Sequence, residues 1–470
     1  MLFGQEITSY GCVQFDVAQN AKGQYHAVLG PGWASVDGQP AFRITGFSDL
    51  DLDIMWLTNL DQDTYWQAGL FNTPQIKEAK YLRIDFQQIV RELGVSPKMV
   101  SPAHSTEAVA EIFGRIMRLA KERFPNLGYG KSSLIQEISF AINLQDAGYE
   151  DSIVDEAFSC SFQDRVLCDS RYTPESGERW ITFRRPRLFH AQQLIGEKLI
   201  IPKGPWTFIG ERDMPPKESR MNWLLETFKG QPYMVKVKNL NFYSSLNTPT
   251  FNPANLLKLG ESILAARQKR PRQWLPMPEF LYVSKFADVE FDSVCVGTEY
   301  ENLEEPLLPD LDYVMHHSYA WGVLAENIWM TYASRSINPK AKSKTLVSAR
   351  ATWLRTIDRF YCFAAARAMS IPLVNVLSYG TGSVTVSCSE PNMGFVIDHA
   401  VKSGLQAPAS SYMHWRSWRN KELAAGQQVG SSTGELKDLI SSQMSGNKED
   451  KETKTKQFPT PKPEVNRGSE

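Results

Sequence analysis

The sequence predicts a multi-domain chain of α/β or α+β class. It reads as an N-terminal sheet covered by helices, a central β-rich region, a helical C-terminal region with a β-hairpin, and a disordered tail. Three observations predict this. Residues 1–60 hold loosely alternating apolar runs, and residues 73–144 then turn to helical spacing. Residues 151–308 carry short β-branched and aromatic runs punctuated by proline and glycine. Beyond residue 309 two long stretches repeat apolar side chains at the helical period. A chain of 470 residues has room for two to four folding units at ~100–200 residues each. The boundaries fall at 1–150, 151–308 and 309–425, with 426–470 as tail.

The elements follow in order. Tyr10–Val17 and Gln24–Leu29 alternate, and the turn between them ends in Lys22-Gly23, so they form a hairpin. Gly30-Pro31-Gly32 ends the second strand, and Ala41–Phe47 and Leu52–Leu57 follow as strands. Thr73-Pro74 opens a helix that Gly94 stops. Ser105 or Thr106 caps the next helix, to Phe124-Pro125, and Ser132 caps a third, to about Leu144. Strands are expected at Trp180–Phe183, Lys198–Ile201, Trp206–Ile209, Tyr233–Val237, Phe280–Val283 and Val289–Val296, with a helix at Asn255–Arg267. Asp310–Ser334 and Thr345–Met369 read as long helices. Leu373–Ser378 and Ser383–Cys388 form a hairpin around Tyr379-Gly380-Thr381-Gly382, and Val396–Ser403 is a last helix. Residues 426–470 hold one aromatic, Phe458, too little apolar surface to offset chain entropy.

Lys and Arg number 51 against 52 Asp and Glu, which excludes a histone-like cation or an acidic solvating chain. Six scattered cysteines without C-x-x-C read as free thiols of a reducing compartment. The N-terminus has no positive segment followed by an apolar one, and no run of ~18 apolar residues occurs. A cytoplasmic protein with no membrane insertion is expected.

Signatures of chemistry fail on spacing. Gly128-Tyr129-Gly130-Lys131-Ser132 ends like a phosphate-binding loop, but Pro125 stands where its first glycine belongs. Ser48–Asp53 sets Asp49, Asp51 and Asp53 on one strand face, with Leu50, Leu52 and Ile54 inward. Ile54 and Leu60 occupy the positions a calcium loop gives to glycine and glutamate. The seven histidines lack H-E-x-x-H spacing, Cys160 and Cys168 lack zinc spacing, and G-x-S-x-G is absent. No metal or cofactor is assigned.

Asp16 sits on the first strand, before the hairpin. A carboxylate so placed resembles the opening of ribonuclease-H-like and actin-like domains. In ribonuclease-H-like enzymes such an aspartate helps hold two metal ions for phosphoryl transfer, which needs at least two further carboxylates. Asp51, Asp53 and Asp85 are available, and Asp16, Asp51 and Asp53 are the catalytic candidates.

The clearest departures from average are basic clusters interleaved with aromatics. One contains Arg184, Arg185 and Arg187, and a second Arg270, Arg272 and Trp274. A third is the helix bearing Arg355 and Arg359, and a fourth Trp415, Arg416, Trp418 and Arg419. Such side chains suit a protein interface or nucleic acid, where guanidinium meets phosphate and rings stack on bases. The leading expectation is therefore a non-catalytic assembly or adaptor protein presenting these surfaces to a protein partner or nucleic acid. The alternative is a metal-dependent nuclease or phosphotransferase with a ribonuclease-H-like N-terminal domain.

Overall fold

The computed structural model describes residues 7–406 apart from 20–22, 24, 96–99, 145–150, 169–173, 197–198, 244–259, 263–267, 271–273, 286, 304–307, 309–317, 335 and 338–344. It is a mixed α/β structure with several sheets. The segment read as a tail, 426–470, lies outside the described residues.

The chain opens with β1 (Ser9–Gln19), β2 (Tyr25–Val36), β3 (Phe42–Ile44) and β4 (Ile54–Thr58). Then come α1 (Gln62–Gln67), β5 (Ile76–Lys77), α2 (Phe86–Glu92), α3 (Pro102–Arg123) and α4 (Leu134–Ala141). The five strands form one sheet in the order β3-β2-β1-β4-β5. β2 runs antiparallel to β1 and β3 to β2, whereas β4 is parallel to β1 and β5 to β4. β2 does not end at Gly30-Pro31-Gly32. Register jumps from Phe15↔Gly32 to Val17↔Ala27, so Pro31 lies in a bulge where its missing N–H costs no ladder bond. The single helix expected from Thr73 to Leu93 is instead β5, two turns and α2. Ile76, Ala79, Tyr81, Leu82 and Ile84 are buried because this segment passes from the sheet edge into the core, and their density imitates helical spacing. Ser101 caps α3, with Pro102 in its first turn. Val109, Phe113, Ile116 and Ala120 recur at helical intervals and are buried, with Phe113 set edge-on to Tyr10 of β1.

The middle of the chain holds α5 (Ser152–Ser161), β6 (Arg165–Leu167), β7 (Glu178–Arg184), α6 (Arg187–Ile195), β8 (Leu199–Lys203), β9 (Thr207–Gly210), α7 (Arg220–Thr227) and β10 (Tyr233–Phe242). It continues through β11 (Gly260–Ser262), β12 (Gln268–Arg270), β13 (Trp274–Pro276), α8 (Met277–Val283), β14 (Ala287–Val296) and β15 (Glu299–Leu303). The last stretch is α9 (Ser318–Tyr332), β16 (Ser336–Ile337), β17 (Thr345–Leu346), α10 (Ala349–Ala368), β18 (Asn375–Gly380), β19 (Ser383–Ser389) and α11 (Met393–Lys402). A four-stranded sheet runs β13-β10-β14-β9, and a six-stranded sheet runs β12-β11-β6-β18-β19-β7. Two expectations fail here. Phe280–Val283 is the end of α8, whose start at Met277-Pro278 favours a first helical turn. Residues 260–262, inside the expected helix Asn255–Arg267, are a strand paired with β6 and β12. The hairpin of β18 and β19 falls where the spacing puts it; α9 lies within the expected Asp310–Ser334, of which 310–317 are outside the described residues, and α10 within Thr345–Met369, whose first two residues are instead β17.

One apolar cluster joins α3 and α4 to α6 and α9, so the N-terminal sheet and the C-terminal helices share a core. No helix among the described residues is long and apolar enough to cross a membrane.

The loop Gly128–Ser132 is turned inward. Lys77 donates to the carbonyls of Tyr129 and Lys131, and the Lys131 N–H donates to Glu137 at 2.5 Å. Its backbone groups are spent on its own core, so it cradles no phosphate. Burial pushes Lys77 down to about 8, with Glu137 pulling the other way. Between about pH 8 and about 10.4 the unfolded chain keeps a proton that the folded chain has given up. The wild type should therefore gain stability relative to a Lys77→Met variant as pH rises through this window. Urea unfolding of both proteins from pH 7 to 10.5 checks it, and a constant difference would refute it.

Candidate active site

The parallel strands β1, β4 and β5 point their carboxyl ends in one direction, the end at which open α/β sheets bind ligands. A cavity of about 640 Å³ lies there. Each strand and the turn after it supply walls: Gln14–Val17 from β1, Asn59, Asp61 and Gln62 after β4, and Ala79 and Lys80 after β5. Tyr25 and His26 close it from β2, and Asp85 and Phe86 from the start of α2.

The aim of Asp16 has a local cause. The Asn59 side chain accepts from the Phe15 N–H and donates to the Phe15 carbonyl, both at 2.9 Å. It thereby extends the β4 side of the ladder beyond Thr58. The opposite ladder breaks between Phe15 and Val17, with the extra residues on β2, and Asp16 keeps the face of Gln14 and lines the cavity. Asp61 is the N-cap of α1, accepting from Thr64, and Asp85 is the N-cap of α2, accepting from Gln87. Capping thus fixes two carboxylates at the rim. Asp85 was among the available carboxylates in the sequence. Asn59 gave no signal there beyond its place just after a strand.

Asp51 and Asp53 are not part of this site. They lie in an exposed turn before β4 rather than on a strand, and the Asp53 N–H donates to the Asp51 carboxylate at 2.9 Å. Leu52 is exposed rather than inward. The alternation of Asp and Leu reflects a turn stabilised by its own side chains.

The donor set bears on cations. Aspartate oxygens are the hard ligands that Mg²⁺ takes, commonly one or two carboxylates together with substrate phosphate. Asp16, Asp61 and Asp85 supply such oxygens to the wall of the cavity. They do not make a closed cage: among the described residues the one set of three ligand atoms within 4.8 Å is His190, Asp358 and Cys362, elsewhere in the fold.

That buried set is a hydrogen-bonded lock. Asp358 of α10 accepts from the N–H groups of Thr381 at 2.6 Å and Gly382 at 2.7 Å, the tip of the β18–β19 hairpin. His190 of α6 contacts the same carboxylate through Nε2 at 2.7 Å, and Arg185 contacts its Nδ1. Arginine only donates, so Nδ1 accepts and Nε2 carries the proton given to Asp358. A metal needs the Nε2 lone pair, which this tautomer does not offer. Burial lowers the His190 pKa, with Arg185 adding to it. Burial alone would raise Asp358, but His190 and the hairpin N–H groups outweigh it and hold it low.

The arginines expected on a shared exterior patch are mostly inside. Arg185, Arg187, Arg355 and Arg359 are buried, and Trp274 is fully so. Arg187 forks onto Glu92 at 2.7 and 2.9 Å and reaches Glu326 at 2.5 Å. Arg184 pairs with Glu326 at 2.7 Å. Arg355 meets Asp164 at 3.2 Å, and Arg359 meets Glu279 at 3.1 Å. Arg270 lies in β12, and its side chain, with Arg272, Trp415, Arg416, Trp418 and Arg419, falls outside the described residues.

No family model matches the chain, and no curated protein does. Among solved structures it is similar to Phi29 DNA polymerase complexed with primer-template DNA (post-translocation binary complex), at 10% identity, TM-score 0.43 and 80% coverage of each chain. The same polymerase complexed with single-stranded DNA gives 9% identity and TM-score 0.40, covering 81% of this chain and 80% of that one. At such values the likeness decides nothing about chemistry. Among the described residues, the guanidinium groups of Arg187, Arg355 and Arg359, which an adaptor would display, are instead buried in ion pairs. The expectation of a non-catalytic assembly or adaptor protein is corrected accordingly.

Proposed function

We propose that the chain is a nuclease or phosphotransferase with a ribonuclease-H-like N-terminal domain, and that a nucleic-acid phosphodiester enters the cavity beside Asp16. The observation that carries this reading is the placement of Asp16 on the central strand, at the carboxyl end of the parallel set, with Asp61 and Asp85 lining the same cavity. Asp16 with Asp61 or Asp85 would hold a divalent ion arriving with the phosphate. Such an ion neutralises phosphate charge and lowers the pKa of bound water. Lys80, exposed at the rim, attracts the phosphate. His26, exposed on the opposite wall, is of the residue type that transfers protons near neutral pH.

The test is cleavage or transfer on a panel of single- and double-stranded DNA and RNA with Mg²⁺ or Mn²⁺. Asp16→Asn should lower the rate by about 100-fold or more, the order seen for a lost electrostatic or acid–base group. Asp53→Asn, outside the cavity, should leave it unchanged. A wild type inert on the whole panel, or an Asp16→Asn variant as active as wild type, overturns the reading.

A further inference from the structure

Asp16 is not open to solvent alone. Arg43 of β3 reaches across β2 and takes both carboxylate oxygens, Nη1 to Oδ1 at 3.0 Å and Nη2 to Oδ2 at 2.5 Å. The pairing is the two-pronged fork that guanidinium makes with carboxylate. The arginine also lies over the ring of Trp33, its neighbour across the β2–β3 ladder, at 5.4 Å. Its position is therefore held by the sheet as well as by the ion pair. Both partners remain partly open to water, at 45% and 43% exposure, so the pair is weak and reversible.

We propose that Arg43 is a latch on the cavity: its guanidinium occupies Asp16 when no divalent ion is bound, and must leave for the ion to enter. This rests on the reading of Asp16 as an ion-holding carboxylate. The two cations compete for the same oxygens, and Asp16 cannot serve both prongs of the fork and a metal. The fork uses both oxygens, whereas Asp85 caps its helix through one oxygen, accepting from the Gln87 N–H, and Asp61 accepts from the N–H and the hydroxyl of Thr64. Asp85 can thus keep its cap while accepting an ion, whereas Asp16 must exchange one charged partner for another. Arg43 thereby sets the ion affinity of the cavity without supplying a ligand to it.

Mn²⁺ binding followed by electron paramagnetic resonance tests the latch without any turnover. The proteins are the full-length wild type, Arg43→Gln, Asp16→Asn and the double variant. Arg43→Gln should bind Mn²⁺ more tightly than wild type by a factor of up to about five, the ceiling for an exposed ion pair. The gap should narrow at 0.5 M salt, which screens the pair. Asp16→Asn should weaken binding, and adding Arg43→Gln to it should restore nothing. Equal or weaker binding by Arg43→Gln, or no Mn²⁺ binding by either protein, overturns the proposal. If the Mn²⁺ affinities shift as stated but no nucleic acid is cleaved, the latch stands and the catalytic reading falls.

Discussion

Replacing Arg187 by methionine is expected to destabilise the protein by roughly 3–5 kcal/mol at neutral pH. The side chain is 5% exposed and serves Glu92 and Glu326, which come from α2 and α9. Methionine keeps the aliphatic stem and removes the charge, so two buried carboxylates lose their main partner. Glu326 retains Arg184. Glu92 retains only Gln88 and the Tyr319 hydroxyl, at 2.8 and 2.9 Å. Burial by itself would raise the Glu92 pKa, but Arg187 reverses that and draws it down to about 2. Without Arg187, burial is opposed only by Gln88 and the more distant Arg184, and Glu92 takes a proton more readily. The penalty should therefore shrink as pH is lowered from 7 towards 4, because the variant can neutralise its stranded carboxylate. Chemical denaturation of both proteins at the two pH values measures this. A loss under 1 kcal/mol at pH 7 would mean that water reaches the cluster.

Gly380→Ala should cost on the order of 3 kcal/mol or more and loosen the β18–β19 hairpin. Gly380 has φ +131, a region costly to any residue with a Cβ. A methyl group there would lie 2.3 Å from the Asp164 carbonyl oxygen and 2.9 Å from the Arg165 Cα. These are backbone atoms of a neighbouring segment and cannot rotate aside. Thr381 and Gly382 follow, also at positive φ, and their N–H groups form the nest that receives Asp358. Displacing the tip therefore strands a buried carboxylate as well. Unfolding by urea gives the loss, and amide exchange at Thr381 and Gly382 should quicken before global unfolding. A variant as stable as wild type would show that the tip can move freely.

What the sequence revealed and concealed follows from the range of the forces involved. The hairpin holding Asp16 and the long helices α9 and α10 rest on local turn chemistry and apolar period, which are visible within some twenty residues. Residues 183–190 also looked distinctive, because Arg184, Arg185 and Arg187 stand among phenylalanines. The fate of Arg184 and Arg187 depends on Glu92 and Glu326, far along the chain in opposite directions, and no local pattern announces such partners. Arg355 and Arg359 share a helix face as their spacing implies, yet that face meets Asp164 and Glu279 instead of water. Of the active-site candidates, Asp16 was legible because it sits where a strand meets a hairpin. Asp51 and Asp53 misled because alternating Asp and Leu fits a turn as well as a strand. No local pattern singles out Asp61, since its place comes from capping a helix that begins just after β4.

The six-stranded sheet has a bearing on how the chain is made. Strands β6 and β7 belong beside β18 and β19, and Phe183 faces Val384 across about 200 residues. A ribosome adding ~5–20 residues each second needs roughly 10–40 s to span that interval. Throughout it β7 exists without its neighbour β19 and β6 without β18, offering bare hydrogen-bonding edges to any nascent chain nearby. Cellular yield of this protein should accordingly depend on holdase chaperones and on slow translation near residue 390, more than on the stability of the finished molecule.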